Sequence, residues 1–211
     1  MGKLNYDELL RNNEEWIKQK LELDADYFKK LAQGQSPKYL MIGCSDSRVP
    51  LSSMLKAEPG EIFIHRNIAN QVSLRDMNFL SVLEFSVIHL KIKHIIITGH
   101  YRCGGVAAAV DGIDHGLIEN WTAPIKDLYN NNKQELENIP EKQDALDKLS
   151  EINVKEQAKN IFKTPVMARA FSRKEYPRVH AWVFDIYSGR IKELSLPIEQ
   201  WKKEGLLPDF Y

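Results

Sequence analysis

Three side chains carry the densest chemistry of the 211-residue chain: its only two cysteines, Cys44 and Cys103, and His100, one of six histidines. Cys44 opens the run Cys44-Ser45-Asp46-Ser47-Arg48, and the other two lie in Gly99-His100-Tyr101-Arg102-Cys103-Gly104-Gly105. Two thiolates with one imidazole form a donor set that favours zinc on ligand softness. Three protein ligands leave a fourth tetrahedral position for water, the mark of a catalytic rather than a structural site. Asp46 and Arg48 share the first loop. A guanidinium beside a carboxylate keeps it ionised and can fix it through two parallel hydrogen bonds. Such an aspartate can accept the proton of a metal-bound hydroxide, or occupy the open position itself.

Taken one at a time, these residues have ordinary roles: a buried cysteine is usually inert core, and an exposed Asp–Arg pair contributes little. Their joint placement is what points to a site. Lys38 to Gly43 (KYLMIG), Glu61 to Arg66 (EIFIHR) and His94 to Thr98 (HIIIT) are short apolar runs that predict strands. Cys44 follows the first, and His100 and Cys103 follow the third. In open parallel sheets, ligands gather at the carboxyl ends of strands near a topological switch point. Gly104 and Gly105 open a small-residue helix, Val106 to Val110, so Cys103 stands at a helix N-terminus that favours its thiolate.

The remaining elements complete an α/β reading. Residues 76–90 are apolar nearly all round and predict a buried helix; residues 115–174 predict polar-faced helices. Arg178 to Tyr187, Ser188-Gly189 and Ile191 to Leu196 predict a hairpin ending the sheet. The expected fold is a mostly parallel central sheet with an antiparallel edge strand, flanking helices and a long N-terminal helical arm. A single domain is expected, with an arm at 1–34, a core at 35–196 and a tail at 197–211. The arm pattern over residues 5–31 places Leu9, Leu10, Trp16, Ile17 and Leu21 among charges, and an amphipathic face of that kind needs a surface to cover it.

Lys and Arg (29) balance Asp and Glu (29), which argues against nucleic acid as a partner. No apolar run approaches membrane-spanning length, and the first twenty residues lack a signal-peptide core. No membrane partner is expected, and the expected compartment is the cytoplasm, where the two thiols stay reduced. The other histidines (His65, His89, His94, His115, His180) are taken as structural, with His65 the nearest to the crevice.

The runs CSDSR, HRNIAN (His65 to Asn70) and GHYRCGG together resemble the β-class carbonic anhydrases, at motif level from about Gln35 to Val110 and more loosely to Gly189. The resemblance implies one Zn2+ per chain on Cys44, His100 and Cys103, with Asp46 and Arg48 as a catalytic dyad. It implies reversible hydration of carbon dioxide to bicarbonate by a zinc-bound hydroxide. Gln35, Phe63, Ile68 and Phe85 match positions lining the substrate pocket, with Gly104 beside them. A homodimer or homotetramer is implied, the arms lying across partner subunits. Some relatives act instead on carbonyl sulfide or carbon disulfide, and a non-catalytic zinc protein with Asp46 permanently on the metal is a further alternative. The HRN run also resembles the branch in which a Trp, an Arg and a Tyr hold a regulatory bicarbonate. Here the Arg is Arg66, but Met41 and Phe184 stand at the other two positions, so that site is expected to be lost.

Overall fold

The protein is described here from a computed structural model covering residues 4–112 and 116–211. The apolar runs become strands β1 (Tyr39–Cys44), β2 (Ile62–Asn67) and β3 (His94–His100), followed late in the chain by β4 (Arg178–Phe184) and β5 (Ile191–Leu194). Their order in the sheet is β2-β1-β3-β4-β5. The first four are parallel and β5 is antiparallel to β4, as expected of a hairpin edge. The chain leaves β1 for β2 on one side and later takes β3 to the other. The switch point therefore lies between the carboxyl ends of β1 and β3.

One face of the sheet packs on helices. Leu40, Ile42, Ile95 and Ile97 are fully buried against Phe79 and Leu83 of α3 (Met77–Glu84) and Ile161 of a long helix, α7 (Lys142–Phe162). Each such side chain contributes about 1.5–3 kcal/mol of burial. Between α3 and α7 run α4 (Gly104–Asp111), α5 (Leu117–Asn131) and α6 (Lys133–Glu137); α8 (Pro165–Ser172) and α9 (Ile198–Lys203) follow. The opposite face is covered by the chain after β1, where Met41, Ile96 and Phe184 pack with Val49 and Leu51. Residues after Pro197 join the first core through Trp201 and Leu207, and the Tyr211 hydroxyl accepts the Val179 N–H at 2.8 Å.

The single helix expected over residues 76–90 is two pieces. The Asp76 side chain caps α3 by accepting from the Asn78 N–H. After Glu84 the backbone widens into a π turn, Phe85–His89, in which the Leu90 N–H reaches the Phe85 carbonyl at 2.9 Å. The Ser86 hydroxyl donates to the Leu83 carbonyl at 2.9 Å within this stretch, a local bond that competes with α-helical register. Phe85 is left 46% exposed.

The described residues before Pro37 form a separate N-terminal unit. It holds α1 (Tyr6–Leu23) and α2 (Tyr27–Leu31). Asn5 and Glu8 cap α1 reciprocally, each bond 3.0 Å. No residue of α1 is buried within this chain; Trp16 meets Phe28 edge-on at 5.2 Å. Among the described residues, no helix is long and apolar enough to cross a membrane.

Candidate metal centre and active site

Cys44 is the last residue of β1 and His100 the last of β3, so two adjacent parallel strands end on ligand positions. Cys103 follows three residues later, immediately before α4. The ligand atoms of Cys44, His100 and Cys103 all lie within 4.8 Å of one another, and all three residues are buried. The two sulfurs are 3.9 Å apart. The S–H···S hydrogen bond between them draws the Cys44 thiol well below its usual value, while the same hydrogen bond, together with burial, pushes Cys103 up. His100 Nδ1 donates to the Tyr101 carbonyl at 2.9 Å, which leaves Nε2 as the bare nitrogen. That Nε2 is buried without a hydrogen-bond partner. A buried orphan nitrogen aimed at two thiols suits a metal ion, and the Cys2His donor set suits zinc.

Arg48 holds Asp46 at both oxygens. Nε donates to Oδ1 at 2.9 Å and Nη2 to Oδ2 at 2.6 Å, and the Arg48 backbone N–H adds a third bond to Oδ1 at 2.9 Å. The guanidinium holds the Asp46 carboxyl far below the ordinary carboxylate range. Its Oδ2 lies 3.7 Å from His100 Nε2, so the pair borders the metal position. Arg48 Nη2 also reaches the Arg102 carbonyl at 3.3 Å and ties the two ligand loops together.

The other proposed site residues divide. Ile68 lies beside the start of α4: a Cβ at Gly105 would come within 2.7 Å of its Cγ2. A Cβ at Gly104 would meet open space, so this side of the helix start is free for a small molecule. Phe63 and Phe85 meet each other, with ring centroids 5.9 Å apart. However, Phe63 stands four positions before Asn67, the register partner of Cys44. That is about 13 Å along the strand from this chain's own ligand end. Gln35 belongs to the N-terminal unit. His65 packs edge-on against Phe79 at 5.5 Å, and burial lowers its pKa, so it is a neutral core residue. His94, His180 and Glu193 form a hydrogen-bonded chain (3.0 and 3.3 Å) begun by the first residue of β3, remote from His100. The His89 ring lies tilted against Phe85, with centroids 5.5 Å apart; His115 lies outside the described residues.

Motif reading missed the groups that fix these loops. Arg66 donates to the Cys44 carbonyl through Nε and Nη2, at 2.9 and 2.6 Å, and to the Asp46 carbonyl at 2.7 Å. Ala69 adopts a left-handed φ of 59° and donates its N–H to Cys44 Sγ at 3.4 Å. Its carbonyl accepts from the fully buried Asn153 of α7 at 3.1 Å. Gly105 lets α4 approach this turn, since a Cβ there would stand 3.1 Å from that of Ala69.

Residues 39–191 match the family model described as carbonic anhydrase. A carbonic anhydrase of Emericella nidulans is 41% identical over 191 residues, covering 90% of this chain and 84% of that protein. A crystal structure among two tetrameric β-carbonic anhydrases of Sordaria macrospora superposes with a TM-score of 0.85 at 40% identity, covering 90% of this chain and 96% of that one. A β-carbonic anhydrase of Aspergillus fumigatus gives 0.88 at 36% identity, covering 94% and 95%. The fold and the Cys-His-Cys cluster thus define an α/β enzyme with a ligand set able to hold a metal. The chain belongs to the carbonic anhydrase family, in its β class, whose reaction is the reversible hydration of carbon dioxide.

Proposed function

We propose that this enzyme converts carbon dioxide and bicarbonate with one zinc ion per chain, held by Cys44 Sγ, His100 Nε2 and Cys103 Sγ. The observation that carries the reading is the bare, buried Nε2 converging with two thiols beside an arginine-held aspartate. Bound zinc supplies Lewis acidity that makes a nucleophile of water near neutral pH. Asp46 accepts a hydrogen bond from the attacking oxygen and so aims its lone pair. Arg48 keeps Asp46 ionised and fixes its plane. The substrate enters on the open side of Gly104, against Ile68. Stopped-flow hydration with and without a chelator, together with zinc stoichiometry, tests this. About one zinc per chain and chelator-sensitive hydration are expected; undiminished hydration by metal-free protein would refute it.

The working assembly is a homodimer or homotetramer. Support comes from the tetrameric Sordaria relatives and from exposed apolar side chains, including Leu10 and Leu23 of α1 and Phe85 of the core. Phe63, Phe85 and Gln35 would then line the site of a neighbouring copy. A fully active monomer in sedimentation would contradict this. The two free thiols fit a reducing compartment, and the cytoplasm is the proposed location.

A regulatory bicarbonate site is proposed to be absent. Met41 and Phe184 are buried in an apolar cluster with Leu51, and Arg66 already donates to two backbone carbonyls. Hydration assayed against rising bicarbonate is expected to show simple, non-cooperative inhibition.

A further inference from the structure

The two residues between His100 and Cys103 are both gripped from one helix. The Asp147 Oδ1 of α7 accepts the Arg102 N–H at 2.7 Å. One turn later, the Glu151 Oε1 accepts the Tyr101 hydroxyl at 2.6 Å. Each carboxylate is itself braced: Gln143 Nε2 donates to Asp147 at 2.9 Å, and Lys192 Nζ donates to Glu151 at 2.7 Å.

What they hold matters for the metal. Arg102 has a φ of 57°, a left-handed conformation that a side-chain-bearing residue keeps only when its surroundings insist. Its carbonyl is the one that Arg48 reaches across the crevice. The Tyr101 carbonyl accepts a hydrogen bond from the His100 Nδ1–H, which keeps the proton on Nδ1 and so decides which nitrogen is bare. The Tyr101 N–H is in turn held by the Phe184 carbonyl at 3.0 Å. We propose that Asp147 and Glu151 are positioning residues of the metal centre: through Arg102 and Tyr101 they set where Cys103 Sγ and His100 Nε2 point. They touch neither metal nor substrate. The inference rests on the metal reading above. Its physical basis is general: groups that orient metal ligands from behind typically affect metal affinity or activity by 10- to 100-fold.

The test is a set of full-length variants loaded with zinc and, separately, with cobalt(II). Asp147→Ala and Glu151→Ala are expected to release zinc to a chelator about 10- to 100-fold faster than the parent, and to alter the visible ligand-field spectrum of the cobalt form. Asp147→Asn keeps an oxygen able to accept the Arg102 N–H, so it should return to within about threefold of the parent. Tyr101→Phe removes only the hydroxyl that Glu151 holds and should reproduce the Glu151→Ala effect even if the alanine variants fold poorly. Asp144→Ala, exposed on the same helix, serves as a stability control and should match the parent. Parent-like cobalt spectra and zinc release in Asp147→Ala and Tyr101→Phe would overturn the proposal. So would an Asp147→Asn variant no better than the alanine. A parent that binds neither metal would instead overturn the metal reading itself.

Discussion

The two loops that deliver the ligands are held by opposite chemistries. The first, Cys44 to Arg48, is gripped through its acceptors: Arg66 takes the Cys44 and Asp46 carbonyls, and Arg48 takes the Asp46 carboxylate. The second, His100 to Cys103, is gripped through its donors: carboxylates of α7 take the Arg102 N–H and the Tyr101 hydroxyl. A cationic clamp and an anionic clamp face each other, joined where Arg48 meets the Arg102 carbonyl. Charged partners make stronger hydrogen bonds than neutral ones. Each loop is therefore fixed by hydrogen bonds to groups outside the ligand set.

The harshest way to break this arrangement is to remove a ligand. Cys44→Ala, His100→Ala and Cys103→Ala should each lose zinc and lower hydration by about a thousandfold or more, because two protein ligands do not make a site of this kind. Metal analysis beside stopped-flow rates checks it, and a variant with full zinc and full rate would end that residue's assignment as a ligand. Asp46→Asn is milder. Zinc should stay, but the amide can present a donor where an acceptor is wanted, and kcat should fall about a hundredfold. Arg48→Lys should fail to restore the parent rate, since an ammonium cannot make the paired bonds to Oδ1 and Oδ2.

Arg66→Ala sharpens the contrast between the clamps. It strips charge-assisted bonds from two backbone carbonyls and should cost about 2 kcal/mol, lowering the melting temperature by roughly 4–8 °C. Calorimetry would detect this. A melting temperature unchanged by Arg66→Ala would show that the first loop holds itself. The smallest expected effect concerns pH. Arg48 depresses the Asp46 carboxyl, so the stability from its charge is present above the ordinary carboxylate range and is lost only as pH falls through a still lower value. Asp46 is thus ionised throughout pH 5–9. Hydration should rise from neutral to mildly alkaline pH, and Asp46→Asn should lower that curve without moving its inflection. An inflection that disappears in Asp46→Asn would place the titration on Asp46 after all.

The same contrast explains what could be read from the sequence. The cationic clamp was partly legible because Asp46 and Arg48 stand within four residues of Cys44, and the strands that end on Cys44 and His100 are apolar runs. The anionic clamp was not. Asp147 and Glu151 are 45 and 50 positions from the residues they hold, and on their own they read as the polar face of a helix. Ala69 gave no sign of its left-handed backbone, a conformation usually assigned to glycine or asparagine. The π turn at Phe85 was hidden for another reason: a one-residue change of hydrogen-bond register leaves the apolar pattern almost intact.

Gly99 carries a consequence for how this sequence can drift. It stands in β3 between the apolar run Ile95–Ile97 with Thr98 and the ligand His100, and a methyl group there would stand 2.4 Å from Cγ2 of Val154 on α7. Val154 is β-branched and fully buried, with little freedom to turn away. Alanine at 99 would push the helix outward and carry Asp147 and Glu151 with it. A smaller residue at 154 alone would leave a void in the core. Positions 99 and 154 are therefore expected to change together or not at all across related sequences, a pairwise constraint imposed by the thickness of one methyl group between a strand and a helix.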